Sequence, residues 1–447
     1  MSFKNFIAET PICPLDDRYR EHTLLVRQIM SGPALAQARA EIEIRYLIAL
    51  SDEPRVVELP RFSNETKVAL QHVYENFDVS DYYTILDHEA RIHHDVKAVE
   101  YWLRNRLTVT KIPVQFIHFA LTSEDVTNLA YGILIQRLFS SVTDVTLSLF
   151  IGILRRFARK NINVPLLGMT HLQPATPTTV GEQLLVFSHR LKQKLKELRK
   201  FRMHGKFGGA VGNLSAHYVA YPEVNWHEFR TKFVRSLGLS PLKRTTQINP
   251  HDDIARLSHL MSECNTILLD LAQDMPLYIS RGVFYLRTIA DDVGSSTMPH
   301  KVNPTDWETA KGSLTVANYL FDCFARELPV NKLQRELSDS IIQRWIGSAF
   351  AAHHLAVVLL LRGLEKIQIN RTALFAEIDE NPEVFGEAIQ TVMRRYGYTD
   401  AYEQLKEMTR GKHTTIADLF DFITTLKLVP DDAKLRLKSL IAHDLME

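Results

Sequence analysis

The sequence contains little cysteine, and its positive and negative charges nearly cancel. Three cysteines, Cys13, Cys264 and Cys323, are spread over 447 residues. An odd number at wide spacing fits neither a disulfide framework nor a paired zinc knuckle, and it favours a reducing, cytoplasmic location. Lys and Arg number 53 and Asp and Glu number 52, a net charge of +1. This balance, without blocks of like charge, gives no sign of a general nucleic-acid-binding protein.

Long apolar runs are also lacking. The most apolar stretch, residues 349–361, contains His353 and His354 and ends at Arg362. It is shorter than the ~18 apolar residues that a membrane-spanning helix needs, so we interpret it as a core helix. The N-terminal residues have neither a long apolar segment nor a small-residue cleavage site, so we expect no signal peptide.

Glycine and proline are sparse, at 18 each, and they occur in clusters. Between the clusters, apolar residues recur at helical spacing with few helix breakers. Short β-branched runs bounded by turn residues are rare, so few strands are expected. Long helices joined by short loops predict an all-α protein built around a helix bundle. The long helices are predicted at residues 36–50, 143–160, 182–201, 253–278 and 308–328.

Clusters of glycine and proline predict three domains. Residues 1–115 form an N-terminal helical domain that contains the breaks at Gly32-Pro33 and at Pro54 to Pro60. Residues 116–365 hold the long helices. Residues 366–447 form a C-terminal domain of short helices.

Three polar segments between the long helices have residues suited to chemistry, and sites are often carried by such loops. The first is GSSTMPHKVNP, residues 294–304. A Gly-Ser-Ser turn exposes N–H groups and hydroxyls that suit an anion, and Lys301 and Asn303 add a positive charge and two donors. An ordinary surface turn is an equally good interpretation of the composition alone.

The second segment is THLQPATP, residues 170–177, in which His171 has the pKa range for proton transfer near neutral pH. A structural or solvated histidine is the commoner case. The third is HFALTSEDVTN, residues 118–128. Its Thr122 to Asp125 predict a helix start, and such a start also binds carboxylate or phosphate.

Weaker candidates surround these three segments. His93, His94 and Asp95 precede a helical run, but the chain has no HExxH spacing and no nearby cysteine, so we expect no metal site there. The glycine-rich residues 205–213 do not clearly follow a strand, which argues against a dinucleotide-binding fold and favours tight backbone packing. Arg18-Tyr19 and a late polar cluster around Arg335 and Arg344 contain cations that could hold an anion or form surface ion pairs.

The three segments together resemble the signature regions of the fumarase/aspartase superfamily of elimination enzymes, in the same chain order. The resemblance is nearest to the adenylosuccinate lyase branch. Stretches such as FIHFALTSED, TTQINPHD and IQTVMRRYG extend it from about residue 12 to beyond residue 410. The MPHK sequence, with His300, also favours this branch over fumarases and argininosuccinate lyases.

The resemblance implies an all-α, three-lobed fold with a central long-helix bundle. It implies homotetramers in which three chains build each active site. The implied activity is C–N bond cleavage, which converts adenylosuccinate to AMP and fumarate. The same family releases fumarate from succinyl-aminoimidazole-carboxamide ribotide. No metal or organic cofactor is implied, and the expected ligands are these small molecules, not nucleic acid or membrane.

The resemblance also assigns roles to individual residues. Ser295 is the expected base and His171 the expected acid, oriented by Glu308. Lys301 and Asn303 are expected to stabilise the carboxylate as charge develops, while Thr122 and Ser123 bind the succinyl carboxylate. The phosphate is expected at Arg18, Tyr19, Arg335, Ser340 and Arg344. His94 is also expected to be catalytic, near the phosphate and the leaving group. The remaining expected contacts are His93, Asp95, His118, Gln247, Ser296 and Met298.

The chain departs from the family pattern at a few positions. His93 replaces an asparagine, Thr309 stands where asparagine is frequent, Lys332 replaces an arginine, and Met169 stands where a basic residue is usual. These departures affect individual contacts and not the expected acid and base. Two alternatives stay open: a related lyase that acts on argininosuccinate or aspartate, and a non-catalytic helical scaffold.

Overall fold

The structure is a computed structural model that describes residues 13, 17–108, 112–289, 294, 296–411 and 413–442. Its contacts divide the chain into two compact units. Unit 1 comprises Met1–Leu147, Lys194–Thr266 and Gly312–Val358. Unit 2 comprises Ser148–Gln193, Ile267–Lys311 and Leu359–Glu447. The division into domains 1–115, 116–365 and 366–447 stays a prediction.

Helices account for most of the described chain, which confirms the predicted all-α class. In chain order the α-helices are α1 Leu24–Met30, α2 Gly32–Ser51, α3 Asn64–Glu75, α4 Val79–Ile92, α5 Asp95–Leu107, α6 Ser123–Leu138, α7 Asp144–Lys160, α8 Val180–Lys200, α9 Ser215–Ala220, α10 Trp226–Ser236, α11 Asp252–Ser280, α12 Thr305–Glu327, α13 Ser338–Gln343, α14 Ile346–Lys366, α15 Arg371–Asp379, α16 Gly386–Arg395, α17 Ala401–Thr409, α18 Ile416–Thr425 and α19 Asp431–Ile441. A π-helical turn, Phe139–Thr143, joins α6 to α7, and Val114–Phe116 and Pro382–Phe385 are 3₁₀ turns.

The five predicted long helices are confirmed within a few residues. They correspond to α2, α7, α8, α11 and α12. The apolar stretch 349–361 lies inside α14, as expected for a core helix. Pro276 lies inside α11 without ending it.

Three two-stranded sheets occur in the described chain, where few strands were expected. β1 (Pro165–Thr170) and β2 (Gln173–Thr179) form an antiparallel hairpin in unit 2. β3 (His204–Gly205) pairs in parallel with β4 (Ser240–Pro241) in unit 1. β5 (Phe284–Leu286) pairs antiparallel with β6 (Ile367–Ile369) in unit 2. The segment predicted as a loop around His171 is therefore part of a hairpin.

The core of unit 1 surrounds α2, which packs against α6. Fourteen of the 20 residues of α2 are buried, including Arg39, Glu41 and Glu43. Each of these buried charges is paired: Arg39 with Asp95 at 2.9 Å, Glu41 with Arg137 at 2.7 Å, and Glu43 with His118 at 2.5 Å. Buried charges require partners, so these pairs fix how the surrounding helices and loops dock on α2.

The core of unit 2 joins the hairpin to the C-terminal helices. Leu167 of β1 lies in one apolar cluster with Ile378, Ile389, Met393 and Leu419, which are all buried. Outside the core, Thr176 of β2 hydrogen-bonds the carboxylate of Glu387. The apolar packing around Leu167 therefore anchors the hairpin at its base, and the Thr176 hydrogen bond adds a contact outside the core.

Two helical stretches, Ser123–Lys160 and Ser338–Lys366, are long and apolar enough to cross a membrane by length and composition alone. In the second stretch, 67% of the apolar window is buried within the protein, and in the first 44%. Core helices of globular proteins meet the same criteria, so this is weak support for a membrane span. Packing in unit 1 accounts for the apolar character of much of both stretches.

Candidate functional site

Unit 1 contains a cavity of about 310 Å³ whose wall is mostly polar. The wall is built from α2, the start of α5, the start of α6, the segment before α11 and the region around α13. Among its residues are many of the ligand-binding positions predicted from the sequence: His94, Asp95, Thr122, Ser123, Gln247, Arg335, Ser340 and Arg344. The fold thus gathers residues that are up to 250 positions apart, since 344 − 94 = 250.

The tight turn between α4 and α5 carries His94 and Asp95. His93 ends α4 in the left-handed conformation, with φ 54°, and His94 caps α5 by accepting the Lys97 N–H at 3.1 Å through Nδ1. The other ring nitrogen of His94 lies 3.4 Å from the Ser123 hydroxyl. The turn therefore brings His94 to the start of α6.

Asp95 is held between two guanidinium groups. Its Oδ2 atom lies 2.9 Å from Arg39 Nη2 and 3.0 Å from Arg344 Nη2. Burial acts to raise the pKa of this carboxyl, but the two arginines outweigh burial and hold the pKa below its ordinary value. Asp95 is thus an anion at neutral pH that orients two cations at the cavity wall.

Thr122 and Ser123 lie at the N-terminus of α6, as predicted. Thr122 is the capping residue, and its N–H donates to Asp125 Oδ2 at 2.9 Å. Asp125 also accepts N–H groups from Gly208 and Gly209, at 2.8 and 3.0 Å. The glycine-rich segment therefore packs as tight backbone that supports the start of α6, as its composition indicated.

Arg335 connects three parts of the cavity wall. Its Nη1 atom lies 3.5 Å from Gln247 Oε1 and 3.8 Å from Glu124 Oε2. Its Nη2 atom lies 3.8 Å from Asp339 Oδ1. Arg39, Arg335 and Arg344 thus face the cavity against two lining carboxyls, those of Asp95 and Glu124. Three positive groups against two acidic ones suit an anionic ligand.

Four of the predicted residues in unit 1 do not line this cavity. The Arg18 guanidinium lies over the Tyr19 ring at 5.8 Å. His93 is exposed at the end of α4. His118 is tied to Glu43, whose carboxylate lies 2.5 Å from its Nδ1. Burial lowers the pKa of His118, but the Glu43 carboxylate outweighs burial and raises the pKa above its ordinary value.

In unit 2, His171 occupies the tip of the β1–β2 hairpin. Thr170 pairs with Gln173, so His171 and Leu172 form a two-residue turn, with φ 55° and 59°. Such a turn needs positive φ at both positions, which glycine and asparagine adopt more readily than histidine and leucine. Both side chains are exposed. Strained backbone conformations are frequent in functional segments, and this strained turn exposes a histidine.

The second predicted region of unit 2 is the loop before α12. Its two ends are joined because Asn303 Nδ2 donates to the Gly294 carbonyl at 2.6 Å. A Cβ atom at position 294 would overlap the Lys301 carbonyl oxygen, which explains the need for glycine. Ser296, Met298 and Lys301 are exposed on this loop, and Glu308 is exposed on the first turn of α12. Ser295 lies outside the described residues.

One group of side chains in the described chain has the donor types of a metal site: Glu124, His251 and Asp339. Their ligand atoms lie within 4.8 Å of one another, and Glu124 lines the cavity. Arg335 lies 3.8 Å from each of the two carboxylates, so a guanidinium already supplies positive charge there. We assign no metal to this group.

Comparison with known proteins gives matches along nearly the whole chain. A family model described as "Lyase" matches residues 20–317, and one described as "Adenylosuccinate lyase C-terminal" matches residues 331–446. Adenylosuccinate lyase from Legionella pneumophila (strain Corby) is 44% identical over 436 residues, with 97% of this chain and 95% of that protein covered. The corresponding enzyme of Vibrio cholerae is 41% identical, with 97% and 96% covered. This chain belongs to the adenylosuccinate lyase family.

Solved structures agree with this adenylosuccinate lyase family assignment at the level of the fold. A fumarate lyase from Mesorhizobium sp. BNC1 superposes with a TM-score of 0.75 at 15% identity, with 94% of this chain and 96% of that chain covered. A 3-carboxy-cis,cis-muconate lactonizing enzyme from Pseudomonas putida gives 0.73 at 17% identity, with 94% and 97% covered. These likenesses confirm the predicted fumarase/aspartase-type fold.

Sequence reasoning missed several residues of this adenylosuccinate lyase family member that line the cavity. They are Arg39, Val96, Glu124, Thr127, Tyr131, Leu337 and Gln343. Arg39 lies in a stretch that was interpreted only as a helix, and an arginine inside such an apolar helix was the signal that could have marked it. Glu124 belongs to the LTSED motif, where it was considered only as part of a helix start.

Proposed function

We propose that this chain catalyses the β-elimination of fumarate from adenylosuccinate, which leaves AMP, and from succinyl-aminoimidazole-carboxamide ribotide. Membership of the adenylosuccinate lyase family supports the reaction. The observation that carries it is the unit 1 cavity, where predicted anion-binding residues from four distant segments meet. The related lyase is less well supported, because the relatives of 44% and 41% identity are adenylosuccinate lyases. The scaffold does not account for the convergence of these residues in one cavity.

The cavity supplies the groups that a phosphate needs. Arg335 and Arg344 offer guanidinium donors, and Ser340 adds a hydroxyl on the same wall. Charge-assisted hydrogen bonds from arginine to phosphate are among the stronger polar interactions in proteins. Asp95 keeps Arg344 in place without neutralising the wall, because Arg39 shares the same carboxylate oxygen.

The proposed carboxylate-binding groups lie at the start of α6. Thr122 and Ser123 present hydroxyls where the positive end of the helix dipole points, and this end favours a negative ligand. His94, 3.4 Å from the Ser123 hydroxyl, is proposed to act near the phosphate and the leaving group of the same substrate. Lys301 and Asn303 on the unit 2 loop are proposed to bind the second carboxylate as negative charge develops on it.

The chemistry needs a base, an acid and stabilisation of an aci-carboxylate. Ser295 is proposed to remove the proton beside the β-carboxylate, with its alkoxide stabilised by neighbouring N–H groups and Lys301. His171 is proposed to protonate the departing purine nitrogen, and Glu308 to orient the imidazole. The C–N electron pair then leaves with the purine, and the C–C double bond of fumarate forms. No metal or organic cofactor takes part in this proposal.

The proposed active form is a cytoplasmic homotetramer in which each active site receives residues from three chains. The exposed position of His171 at a strained hairpin tip supports this assignment, because a group that serves another subunit must be reachable from outside. The exposed Lys301 loop supports it in the same way. Sedimentation or light scattering of the purified protein measures the oligomeric state directly.

A substrate panel tests the function. Purified protein is mixed separately with adenylosuccinate, succinyl-aminoimidazole-carboxamide ribotide, argininosuccinate and aspartate, without added metal. We expect an absorbance decrease with the first two compounds and inhibition by AMP. Turnover of argininosuccinate or aspartate instead supports the related lyase. No turnover of any compound supports the scaffold and refutes the proposal.

The acid and base assignments are tested by single substitutions. We expect His171→Ala and Ser295→Ala each to lower kcat by at least about 10²-fold, the scale for loss of a positioned acid or base. His72→Ala is the matched control, because His72 is an exposed histidine that pairs only with Glu75 on its own helix, at 3.0 Å. Near-normal rates in both site variants contradict the assigned roles.

A further inference from the structure

Three buried ionisable side chains meet at the wall of the proposed substrate cavity, which Glu124 itself lines. Glu124 is 1% exposed, His251 is 1% exposed and Asp339 is 3% exposed. Each is close in sequence to a proposed binding residue: Glu124 follows Ser123, Asp339 precedes Ser340, and His251 lies four residues after Gln247. The cluster therefore joins the backbones of three separate wall segments.

Arg335, which also lines the cavity, approaches two members of this cluster. It approaches Glu124 and Asp339 at 3.8 Å each, on different guanidinium nitrogens. His251 Nε2 lies 3.7 Å from Asp339 Oδ2. These distances are just beyond hydrogen-bond range, so the contacts hold the guanidinium by charge. The orientation of Arg335 thus depends on the charge state of the cluster.

The cluster has polar atoms with no hydrogen-bond partner among the described residues. They are Glu124 Oε1, Asp339 Oδ2 and both ring nitrogens of His251. Buried polar atoms are rarely left in this condition, because each costs about 1–3 kcal/mol. A proton on one of these atoms turns an acceptor into a donor toward a neighbouring acceptor. One proton therefore reduces the number of unpaired atoms in this space.

Charge balance points to the same conclusion. Two carboxylates against the Arg335 guanidinium leave one uncompensated negative charge in a buried space, which is energetically costly. The nearby Lys206 does not remove it, because its ammonium is paired with Asp125 at 2.7 Å. The pKa of Glu124 is raised to about 7, and burial is the largest cause. The Asp339 carboxylate also raises this pKa, whereas His251, Arg335 and Lys206 act to lower it.

We propose that Glu124, His251 and Asp339 share one proton and act together as positioning residues for Arg335. This inference rests on the proposed function, in which Arg335 binds the substrate phosphate. With the proton present, the cluster carries one net negative charge instead of two, so it opposes the attraction of the guanidinium for the phosphate less. When the proton leaves, an added negative charge 3.8 Å from Arg335 opposes binding of the anionic substrate.

The charged and titratable groups that face Glu124 are His251, Asp339, Arg335 and Lys206, with the buried Tyr131 phenol on α6 also within electrostatic range. Arg39, Arg344 and Asp95 line the same cavity. The arginines stay charged at all working pH values, and Asp95 is an anion there. The proposed charge change lies in the cluster. His94 also lines the cavity, but it is the same in the cluster variants, so its contribution cancels in the comparison.

The test is the pH dependence of KM and kcat for adenylosuccinate between pH 6.5 and 8.5, in the unmodified enzyme and in Glu124→Gln. In the unmodified enzyme we expect KM to rise about tenfold from pH 7 to 8.5, with kcat changed less than about threefold. The Gln variant keeps the side-chain shape but cannot acquire the negative charge, so its KM should change less than about threefold over this range. The substrate phosphate titrates near pH 6 in both proteins, so it cancels in the comparison.

Two further measurements keep the outcome clear. Asp339→Asn, which also removes one negative charge, should flatten the KM profile in the same way if Glu124→Gln does not fold. Glu228→Gln, at an exposed carboxylate that pairs with Lys232 at 2.7 Å and accepts from Asn225 at 3.4 Å, is the matched control and should keep the profile of the unmodified enzyme. Identical KM profiles in the unmodified enzyme and both cluster variants refute the proposal.

The remaining outcomes separate this proposal from its alternatives. A parallel fall of kcat and thermal stability in the cluster variants, with unchanged profile shape, indicates a structural role alone and contradicts it. Stoichiometric Zn²⁺ in the purified protein, removed together with activity by a chelator, indicates a metal site and contradicts it. If adenylosuccinate is not cleaved at all, the proposed function fails, and AMP affinity measured by calorimetry over the same pH range still tests the cluster.

Discussion

Replacing Lys206 with methionine tests how the wall beneath Thr122 and Ser123 is held in place. Lys206 Nζ lies 2.7 Å from Asp125 Oδ1, and both side chains are fully buried. The ammonium also donates to the Gly209 carbonyl at 2.9 Å. Asp125 accepts the N–H groups of Thr122, Gly208 and Gly209. The pair therefore fastens the start of α6 to the glycine-rich segment.

The magnitude follows from two opposing effects. At 2.7 Å and an effective dielectric constant of about 20, the attraction is about 6 kcal/mol. Desolvation costs several kcal/mol for each ion, so the pair adds little net stability, yet removing one partner costs about 3–5 kcal/mol. Lys206→Met leaves Asp125 with three N–H donors, so we expect a loss near 3 kcal/mol. Asp125→Ala leaves the ammonium with one carbonyl and three N–H groups without their acceptor, so we expect about 5 kcal/mol.

Urea unfolding followed by circular dichroism, at one fixed protomer concentration, measures these free energies. The double variant should lose at least about 1 kcal/mol less than the sum of the single losses, because it leaves no unpaired buried charge. Lys232→Met is the matched control: its pair with Glu228 has the same 2.7 Å length but is exposed, so its loss should stay below about 1 kcal/mol. Equal losses for Lys206→Met and Lys232→Met refute the reasoning.

Three further predictions concern the site and its scaffold. Arg344→Gln should raise KM for adenylosuccinate by about tenfold with kcat changed less than about threefold, because a phosphate contact is lost; steady-state kinetics measure both, and an unchanged KM contradicts it. Burial lowers the pKa of His217 to about 4, so this histidine is neutral in the folded protein. As the pH falls below about 6.5, the unfolded chain takes up a proton at this histidine before the folded protein does. The unfolding free energy should therefore fall between pH 7 and 5 by about 2 kcal/mol more than in the His217→Phe variant. Gly212 has φ 80°, and a Cβ atom at this position would overlap the carbonyls of residues 245 and 246. Gly212→Ala should lower the unfolding free energy by at least about 2 kcal/mol and raise KM through the adjoining Gln247. Gly312→Ala, where a Cβ atom meets open space, should leave the melting temperature unchanged or raise it.

The long helices were predictable because their signal is local. An apolar stripe at helical spacing, as in α7, is visible within one stretch of sequence. The hairpin that carries His171 was missed because its residues, THLQPATP, are polar and contain two prolines, which argue against a strand. The pairing of β2 with β1 is set by the packing of Leu167 and its neighbours in unit 2. No local sequence pattern shows this packing.

The site divides in the same way. Expected binding residues such as Ser123 and Arg335 could be named from the sequence because their motifs are contiguous. Arg39 was missed because its partner, Asp95, lies 56 positions away, since 95 − 39 = 56. The buried His251 was missed because its polar neighbours come from other segments. Contacts between distant residues depend on how helices dock, and one sequence without an alignment carries no direct signal of that docking.

A crystal structure of the protein with AMP and fumarate bound tests the central proposal most directly. The account predicts the AMP phosphate within about 3 Å of donor atoms of Arg335, Ser340 or Arg344, in the unit 1 cavity. It predicts fumarate beside Thr122 and Ser123, with Ser295 and His171 supplied by neighbouring subunits. Nucleotide bound elsewhere, or bound in this cavity with neither Ser295 nor His171 near the fumarate, contradicts the account.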